Sequence, residues 1–388
     1  MQINETGRAE NGHSHVQVGD EGLILFDDIA SKETSRNFIA RESLRVMVGC
    51  QSLAVSHSFV TGRDGRTTVA NKLVGDPLEK AVLDACSWTM LPGSKGIVVE
   101  IDKSSSTFSD SGSIRVLHRF AFSSTLRRMS VLAIDNQGTT SNTLWALTKG
   151  GPETIMPLLD PNSFDSIAYQ QSYQRQMSLG RRVLALAYRN LGKNTAANVE
   201  KWKSSRDKVE QNLIFAGLLI MDSPLKADSR RIIKELRAGQ QSTVMVTGDA
   251  VLTAVEVARR VGIIDSPEKS TYELRHSGEF RFVPLGSFND THKERAFEYT
   301  PDDMYKLGTL VRKGKAAVCV TGDILQKVAT TFIEKDTHRS ATLIDKSAVL
   351  THPAARKAIA SLVPIVSVFA RHEPRHKEAV IAAFNSLG

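Results

Sequence analysis

Hydrophobic and polar positions fall into two textures along the chain. Across residues 22–188, short apolar runs at 96–101, 114–121, 129–134, 144–148 and 183–188 alternate with polar connectors, and each run is the length of a strand. Helical spacing appears at 76–88 and 167–179. The mixture predicts an α+β domain with an antiparallel sheet, and the serine-rich stretch 103–113 reads as a loop between two of its strands. A charged, helix-prone connector near 201–211 precedes a different rhythm: apolar run 213–221, amphipathic helix 226–238, strand 242–247, helix 252–261. That alternation predicts βαβ units and a parallel sheet. Residues 265–313 interrupt it and read as an insertion, after which strands 316–321 and 365–370 and helices 324–332 and 372–384 resume the pattern. The polar residues 1–19 show no apolar periodicity and are expected to form a disordered lead-in.

Composition narrows the class. A chain of 388 residues, 41% hydrophobic and 24% charged, has enough material for two or three packed domains. Its 50 basic and 42 acidic residues leave a formal charge of +8 that is spread rather than gathered in a tail, so a mild preference for anions is expected and no nucleic-acid arm. Cys50, Cys86 and Cys319 stand far apart in no CxxC pair, which argues against a disulfide framework or a zinc site and for a reducing compartment. No window reaches the roughly 18 to 20 apolar residues of a membrane helix, and the N-terminus carries no signal-peptide pattern, so no direct membrane insertion is expected of this chain.

Candidate chemistry lies at four strings. Thr247-Gly248-Asp249 ends an apolar strand and precedes a helix, which puts a hydroxyl, a flexible backbone and a carboxylate at the carboxyl edge of a parallel sheet. Ligands bind at that edge, where helix-start amides hold phosphate and a carboxylate orients ribose or metal-bound water. The tripeptide alone reads better as a turn with an Asp N-cap, and its recurrence at Thr321-Gly322-Asp323 shows how readily it arises. Arg371 and Lys377 follow the strand 365–370; proline at 374 starts a helix whose first turn can aim the Lys377 ammonium over the sheet edge. In the first domain, Phe122 offers an aromatic face for a purine, Arg127 and Lys149 offer cations for phosphates, and Glu79 offers an acceptor for an exocyclic amine. Taken singly, each also reads as a core ring, a solvated cation or a helix-surface acid.

The ordered combination resembles the cytoplasmic ATP-handling region of P-type ATPases from about residue 44 to 388. Residues 75–81 resemble that family's nucleotide-domain helix motif, 122–131 its Phe-Ser-x-x-x-Lys/Arg-x-Met-Ser-Val segment, Lys149-Gly150-Gly151-Pro152-Glu153 its Lys-Gly-Ala-Pro-Glu loop, and 180–187 its Gly-x-Arg-Val-Leu-Ala-Leu-Ala strand. The resemblance implies an α/β protein: a nucleotide-binding domain over 20–208, with an antiparallel sheet, then a partial phosphorylation domain over 209–388 with the haloacid-dehalogenase fold. Phe122 would stack on adenine, Glu79 would meet its amine, Lys149 and Gly150 would line the pocket, and Arg127 and Arg182 would serve the phosphates. Asp222, Thr247, Gly248, Asp249, Arg371 and Lys377 would belong to the phosphorylation domain. The wording of 72–81, 222–229 and 368–377 is most similar to the fifth class, subfamily A, an endoplasmic-reticulum group associated with removing misinserted transmembrane helices.

Gly151 stands where the family has Ala, and Ala250 where it commonly has Asn. Neither the family's Asp-Lys-Thr-Gly nucleophile string nor its Gly-Asp-Gly-x-Asn-Asp metal loop occurs in the 388 residues. ATP, arriving as its Mg²⁺ complex, is therefore the expected ligand, bound without turnover by a fragment or incomplete gene model and with no metal ligands in this chain. The expected partners are ATP and the membrane and actuator domains of a parent enzyme, on the cytosolic face of the endoplasmic reticulum. Two other readings stand beside it: a stand-alone haloacid-dehalogenase-type phosphatase, which needs an Asp-x-Asp-x-Thr string that is not present, and a catalytically dead nucleotide-binding regulator.

Overall fold

The structure is a computed structural model that describes residues 15–16, 40–61, 67–86, 88–90, 97–101, 113–135, 142–222, 225–265, 270–285, 296–337 and 348–387. They form two compact units, the first of residues 1–176 and 181–224, the second of 177–180 and 225–388.

An eight-stranded sheet organises the first unit. Its strands are β1 (His15–Val16), β4 (Trp88–Met90), β5 (Ile97–Ile101), β6 (Ser113–Ser123), β7 (Arg128–Asp135), β8 (Thr143–Gly150), β9 (Arg182–Lys193) and β10 (Ile214–Asp222), in the order β1-β10-β9-β8-β7-β6-β5-β4. Every neighbouring pair is antiparallel. A separate hairpin, β2 (Ala54–Thr61) and β3 (Thr67–Val74), lies between helices α1 (Arg41–Gly49) and α2 (Pro77–Ala85). Among the described residues, four further α-helices lie in the unit: α3 (Pro152–Ile155), α4 (Ser166–Ser178, of which 177 and 178 group with the second unit), α5 (Ala196–Lys203) and α6 (Arg206–Val209).

Strands β7 and β8 are buried along almost their whole length because both faces of the sheet are covered. Side chains alternate faces with a period of two. Met129, Val131, Ala133, Trp145 and Leu147 pack with Val46, Leu53, Val82 and Leu83 of the α1–α2 side, whereas Leu132, Ile134, Leu144 and Ala146 pack with Leu191, Val199 and Val209 on the other. An unbroken apolar run in the sequence is thus two interleaved cores. Helix α2 starts where it does for local reasons. Asp76 caps it by accepting from the Leu78 amide at 2.8 Å, Pro77 occupies its first position, and Gly75 has φ 142° against Leu53, whose Cδ2 would lie 2.6 Å from an added Cβ.

The second unit is a layered α/β structure. Its sheet has the order β11-β16-β15-β12-β13-β14, from β11 (Met245–Val246), β12 (Thr271–Ser277), β13 (Glu279–Pro284), β14 (Phe297–Glu298), β15 (Ala317–Thr321) and β16 (Val368–Ala370). The first four strands in that order run parallel, and β12, β13 and β14 form an antiparallel end. Helices α7 (Ser229–Ala238), α8 (Val251–Val261), α9 (Pro301–Arg312), α10 (Gly322–Thr337), α11 (Pro353–Leu362) and α12 (Pro374–Ser386) belong to this unit. Val318, Val320 and Phe369 face a core built with α10, α11 and α12, while Ala317, Cys319, Val368 and Ala370 face α8.

The structure departs from the sequence reading in four places. The run read as opening the parallel sheet is β10, paired antiparallel with β9, so Asp222 ends a strand of the first unit rather than standing in the second. A strand buried on both faces reads alike in parallel and antiparallel sheets, so the pattern could not separate the two. Within the supposed insertion, β12 joins β15 in parallel and extends the sheet. The helix read over 76–88 stops at Ala85, and Trp88–Met90 is a strand. Within the expected lead-in, His15 and Val16 pair with Asp222 and Met221; residues 1–14 and 17–19, like the loop read at 103–112, lie outside the described residues.

Candidate functional site

In the first unit, the strands alternate direction so that β6 and β8 end where β7 and β9 begin. Phe122 near the end of β6, Arg127 in the following turn, Lys149 and Gly150 at the end of β8, and Arg182 at the start of β9 therefore share one end of the sheet. The register sharpens this: Met129 pairs with Lys149 and Arg128 with Gly150, while Lys149 pairs with Leu186 and Gly150 with Ala185. Phe122 is 61% exposed, which removes the reading of this ring as core.

Glu79 reaches the same end from α2. Lys149 Nζ donates to Glu79 Oε1 at 2.7 Å, and the Ser52 amide and hydroxyl donate to Oε2 at 2.8 and 2.7 Å. Burial disfavours the Glu79 carboxylate, but the Lys149 charge and the hydrogen bonds from Lys149 and Ser52 outweigh it and hold the group below the usual carboxylate range. Glu79 is thus no solvated surface acid. Arg119 on β6 extends the cluster, approaching Gln51 Oε1 and the Leu53 carbonyl, each at 3.4 Å. Cys50, beneath it, is wholly buried, and desolvation pushes its thiol up to about 12. This is a neutral packing thiol rather than a nucleophile.

The turn joining β6 to β7 is tight. Arg127 takes φ 51° and its amide donates to the Ser123 carbonyl at 2.6 Å; its own carbonyl accepts from the Gly151 amide at 3.1 Å. Gly150 closes against the same turn, since an added Cβ would lie 2.6 Å from Arg128 Cβ and 2.8 Å from the Arg127 carbonyl oxygen. The glycine of the Lys149-Gly150 pair is required by that approach.

The second unit gathers its predicted residues at the carboxyl ends of parallel strands β11 and β16. The Thr247 amide donates to the Phe369 carbonyl at 2.8 Å, the Arg371 amide to the Asp249 carbonyl at 2.9 Å, and the His372 amide to the Thr247 carbonyl at 2.9 Å. Within the first loop the Thr247 hydroxyl donates to Asp249 Oδ2 at 2.9 Å and accepts from the Asp249 amide at 3.1 Å. Arg371 sits at φ 55°, and Lys377 lies in the first turn of α12. Of the recurring string, Thr321 ends the neighbouring strand β15, and Gly322 and Asp323 open α10; a Cβ on Gly322 would meet His376 Nδ1 at 2.5 Å and the Arg371 carbonyl at 2.7 Å.

The first unit, and not the second, coincides with a family model. Residues 40–228 match P-type ATPase, cytoplasmic domain N. The chain belongs to the P-type ATPase family. It is 36% identical over 58% of its length to an endoplasmic reticulum transmembrane helix translocase of Saccharomyces cerevisiae, and covers 16% of that protein. It is 31% identical over 71% of its length to the Schizosaccharomyces pombe translocase of the same name, covering 21% of it. A probable manganese-transporting ATPase of Arabidopsis thaliana is 28% identical over 92% of the chain, which covers 24% of that relative. The chain therefore spans a quarter or less of the length of these three relatives. Among the described residues, no helix is long and apolar enough to cross a membrane.

The residues that hold the candidate residues in place carry no sequence signal of their own. Ser52 lies 27 positions from Glu79 and carries no motif. Only the fold brings it there.

Proposed function

We propose that the first unit binds an adenine nucleotide at the end of the sheet formed by β6 to β9, and that the chain serves as the ATP-handling part of a P-type transport ATPase. The observation that carries this reading is the juxtaposition of the exposed Phe122 ring with Arg127, Lys149 and Arg182 at one sheet end. A large aromatic side chain left in water near cations suits a stacked base with phosphates beyond it. Because Lys149 is already neutralised by Glu79, the pair fits the polar edge of a base better than a phosphate, and Arg127 and Arg182 are the cations for the phosphate tail. The nucleotide brings its Mg²⁺ with it.

In the second unit we assign Thr247, Gly248, Asp249, Arg371 and Lys377 to the supporting half of a phosphoryl-transfer site on a haloacid-dehalogenase-like sheet. Its backbone-laced loops supply a rigid polar cradle at the carboxyl edge, where such sheets bind phosphate. The parent reading is an endoplasmic-reticulum translocase with this region on the cytosolic face, joined to membrane and actuator domains.

Titration of the chain with trinitrophenyl-ATP tests the nucleotide site. Saturable binding that weakens about tenfold in Phe122→Ala, the size of a lost base–aromatic contact, is expected. Equal affinity of the native chain, Phe122→Ala and Lys149→Ala would sink the pocket.

A further inference from the structure

Glu210 is 1% exposed just after α6, and it is fully engaged. Its Oε1 accepts from Ser130 Oγ at 2.6 Å and Arg206 Nε at 2.8 Å, and its Oε2 accepts from Arg128 Nε at 2.8 Å. Arg206 then spends the rest of its fork on backbone: Nη1 donates to the Ala121 carbonyl at 3.1 Å and Nη2 to the Arg128 carbonyl at 3.0 Å. Ser130 Oγ also lies 3.0 Å from Thr148 Oγ1, which ties β8 into the group.

The two carbonyls flank the residues of interest. Regular pairing of β6 with β7 runs to Phe120 opposite Ser130 and resumes at Ser123 opposite Arg128, so Ala121 and Phe122 together oppose Met129. This bulge turns Phe122 outward, and Arg206 occupies the Ala121 carbonyl where the ladder is interrupted. A buried carboxylate is costly unless paired, and two guanidiniums with one hydroxyl satisfy it here while leaving one surplus positive charge beside the turn that carries Arg127.

We infer that Glu210 and Arg206 are positioning residues for nucleotide binding: they clamp the bulge and turn of β6–β7 so that Phe122 and Arg127 are held ready for the ligand. The inference rests on the nucleotide-binding reading above. The planar fork of Arg206 is what the clamp requires, because it spans a carboxylate and two carbonyls at once. A lysine at 206 would keep the charge and lose the span.

Arg206→Lys is the test, since Glu210 keeps Arg128 and Ser130 and the fold is retained; Glu210→Gln is the second variant. Affinity for trinitrophenyl-ATP is measured at a temperature where each protein is fully folded, with amide hydrogen exchange on the same samples. We expect Arg206→Lys to bind roughly tenfold more weakly, the scale of one hydrogen bond to a charged group, with faster exchange confined to residues 121–128. Saturating nucleotide should restore protection there, which a purely fold-stabilising contact would not show. Unchanged affinity of folded Arg206→Lys, beside weakened Phe122→Ala, overturns the positioning role and leaves the pocket standing. No binding by the native chain overturns the nucleotide reading itself, and unchanged exchange at 121–128 then also removes the clamp.

Discussion

Lys149 and Glu79 form an ion pair at 2.7 Å with side chains only 9% and 12% exposed, joining the end of β8 to the first turn of α2. The second carboxylate oxygen is taken by Ser52, so neither end of the pair is left to water alone. Breaking such a pair from one side costs more than removing it whole, because one charge remains in a poorly solvated place. Lys149→Met should destabilise the first unit by about 2–3 kcal/mol, and Glu79→Gln added to it should recover part of that loss. Denaturant unfolding of the two single variants and the double variant measures the coupling. Strictly additive effects would show that the two charges do not act together.

The pH response of the same carboxylate follows from the direction of its shift. Glu79 is held below its ordinary value of 4.5, so the fold binds its proton less readily than the unfolded chain does. Its contribution is present above about pH 4.5 and fades as pH falls through the lower folded value. Glu79→Gln should flatten acid unfolding of the first unit in that range. An identical acid limb in the native and variant proteins would contradict it.

His372 in the second unit titrates in a higher window. Burial lowers it from 6.5 to about 4, partly opposed by the hydrogen bond between Nδ1 and the Ala370 carbonyl, while His376 and Lys377 add like charge. The folded unit therefore prefers the neutral ring, and its stability is complete above pH 6.5 and declines as pH falls toward 4. At about 1.4 kcal/mol per pH unit the loss approaches 3 kcal/mol at most. His372→Gln should abolish that slope in thermal melts taken between pH 7 and 4, and a slope unaltered by the substitution would assign it to other groups.

Much of this was legible beforehand, and what was not has a physical cause. Strands β5 to β9 can be read because each is an apolar run bounded by polar residues, and the six candidate residues of the first unit stand out because their types come in a telling order; the structure brings them to one end of the sheet. The β2–β3 hairpin gives no such signal, since its sequence, AVSHSFVT followed by TTVANKLV, offers little contrast between faces. Strand β10 reads as part of the parallel sheet because burial on both faces erases the signal of strand direction. Glu210 and Arg206 escaped notice entirely: an acid and a base four apart near a helix end look like a solvated pair, and the 80 residues between Glu210 and Ser130 hide the partner that buries it. Side-chain networks closed across sequence distance leave no local pattern to read.

Two glycines that stand in candidate motifs differ in what they do for the fold. A Cβ at Gly150 would come within 2.6 Å of Arg128 Cβ and 2.8 Å of the Arg127 carbonyl oxygen, and neither neighbour is the loose end of a side chain. The turn would have to move as a whole, and with it the register between Arg128 and Gly150. At Gly248 the nearest atom is the His372 carbonyl oxygen at 3.9 Å, and the residue does not take a left-handed φ. Gly150→Ala should therefore cost about 1–3 kcal/mol, the range of an overpacked core, while Gly248→Ala should stay within about 0.5 kcal/mol of the native protein. Differential scanning calorimetry of both variants checks the contrast. If the two alanines melt alike, the close approach of β8 to the β6–β7 turn is not what fixes glycine at 150; if Gly248→Ala alone is the damaging change, the loop after β11 is under a constraint that its van der Waals surroundings do not supply.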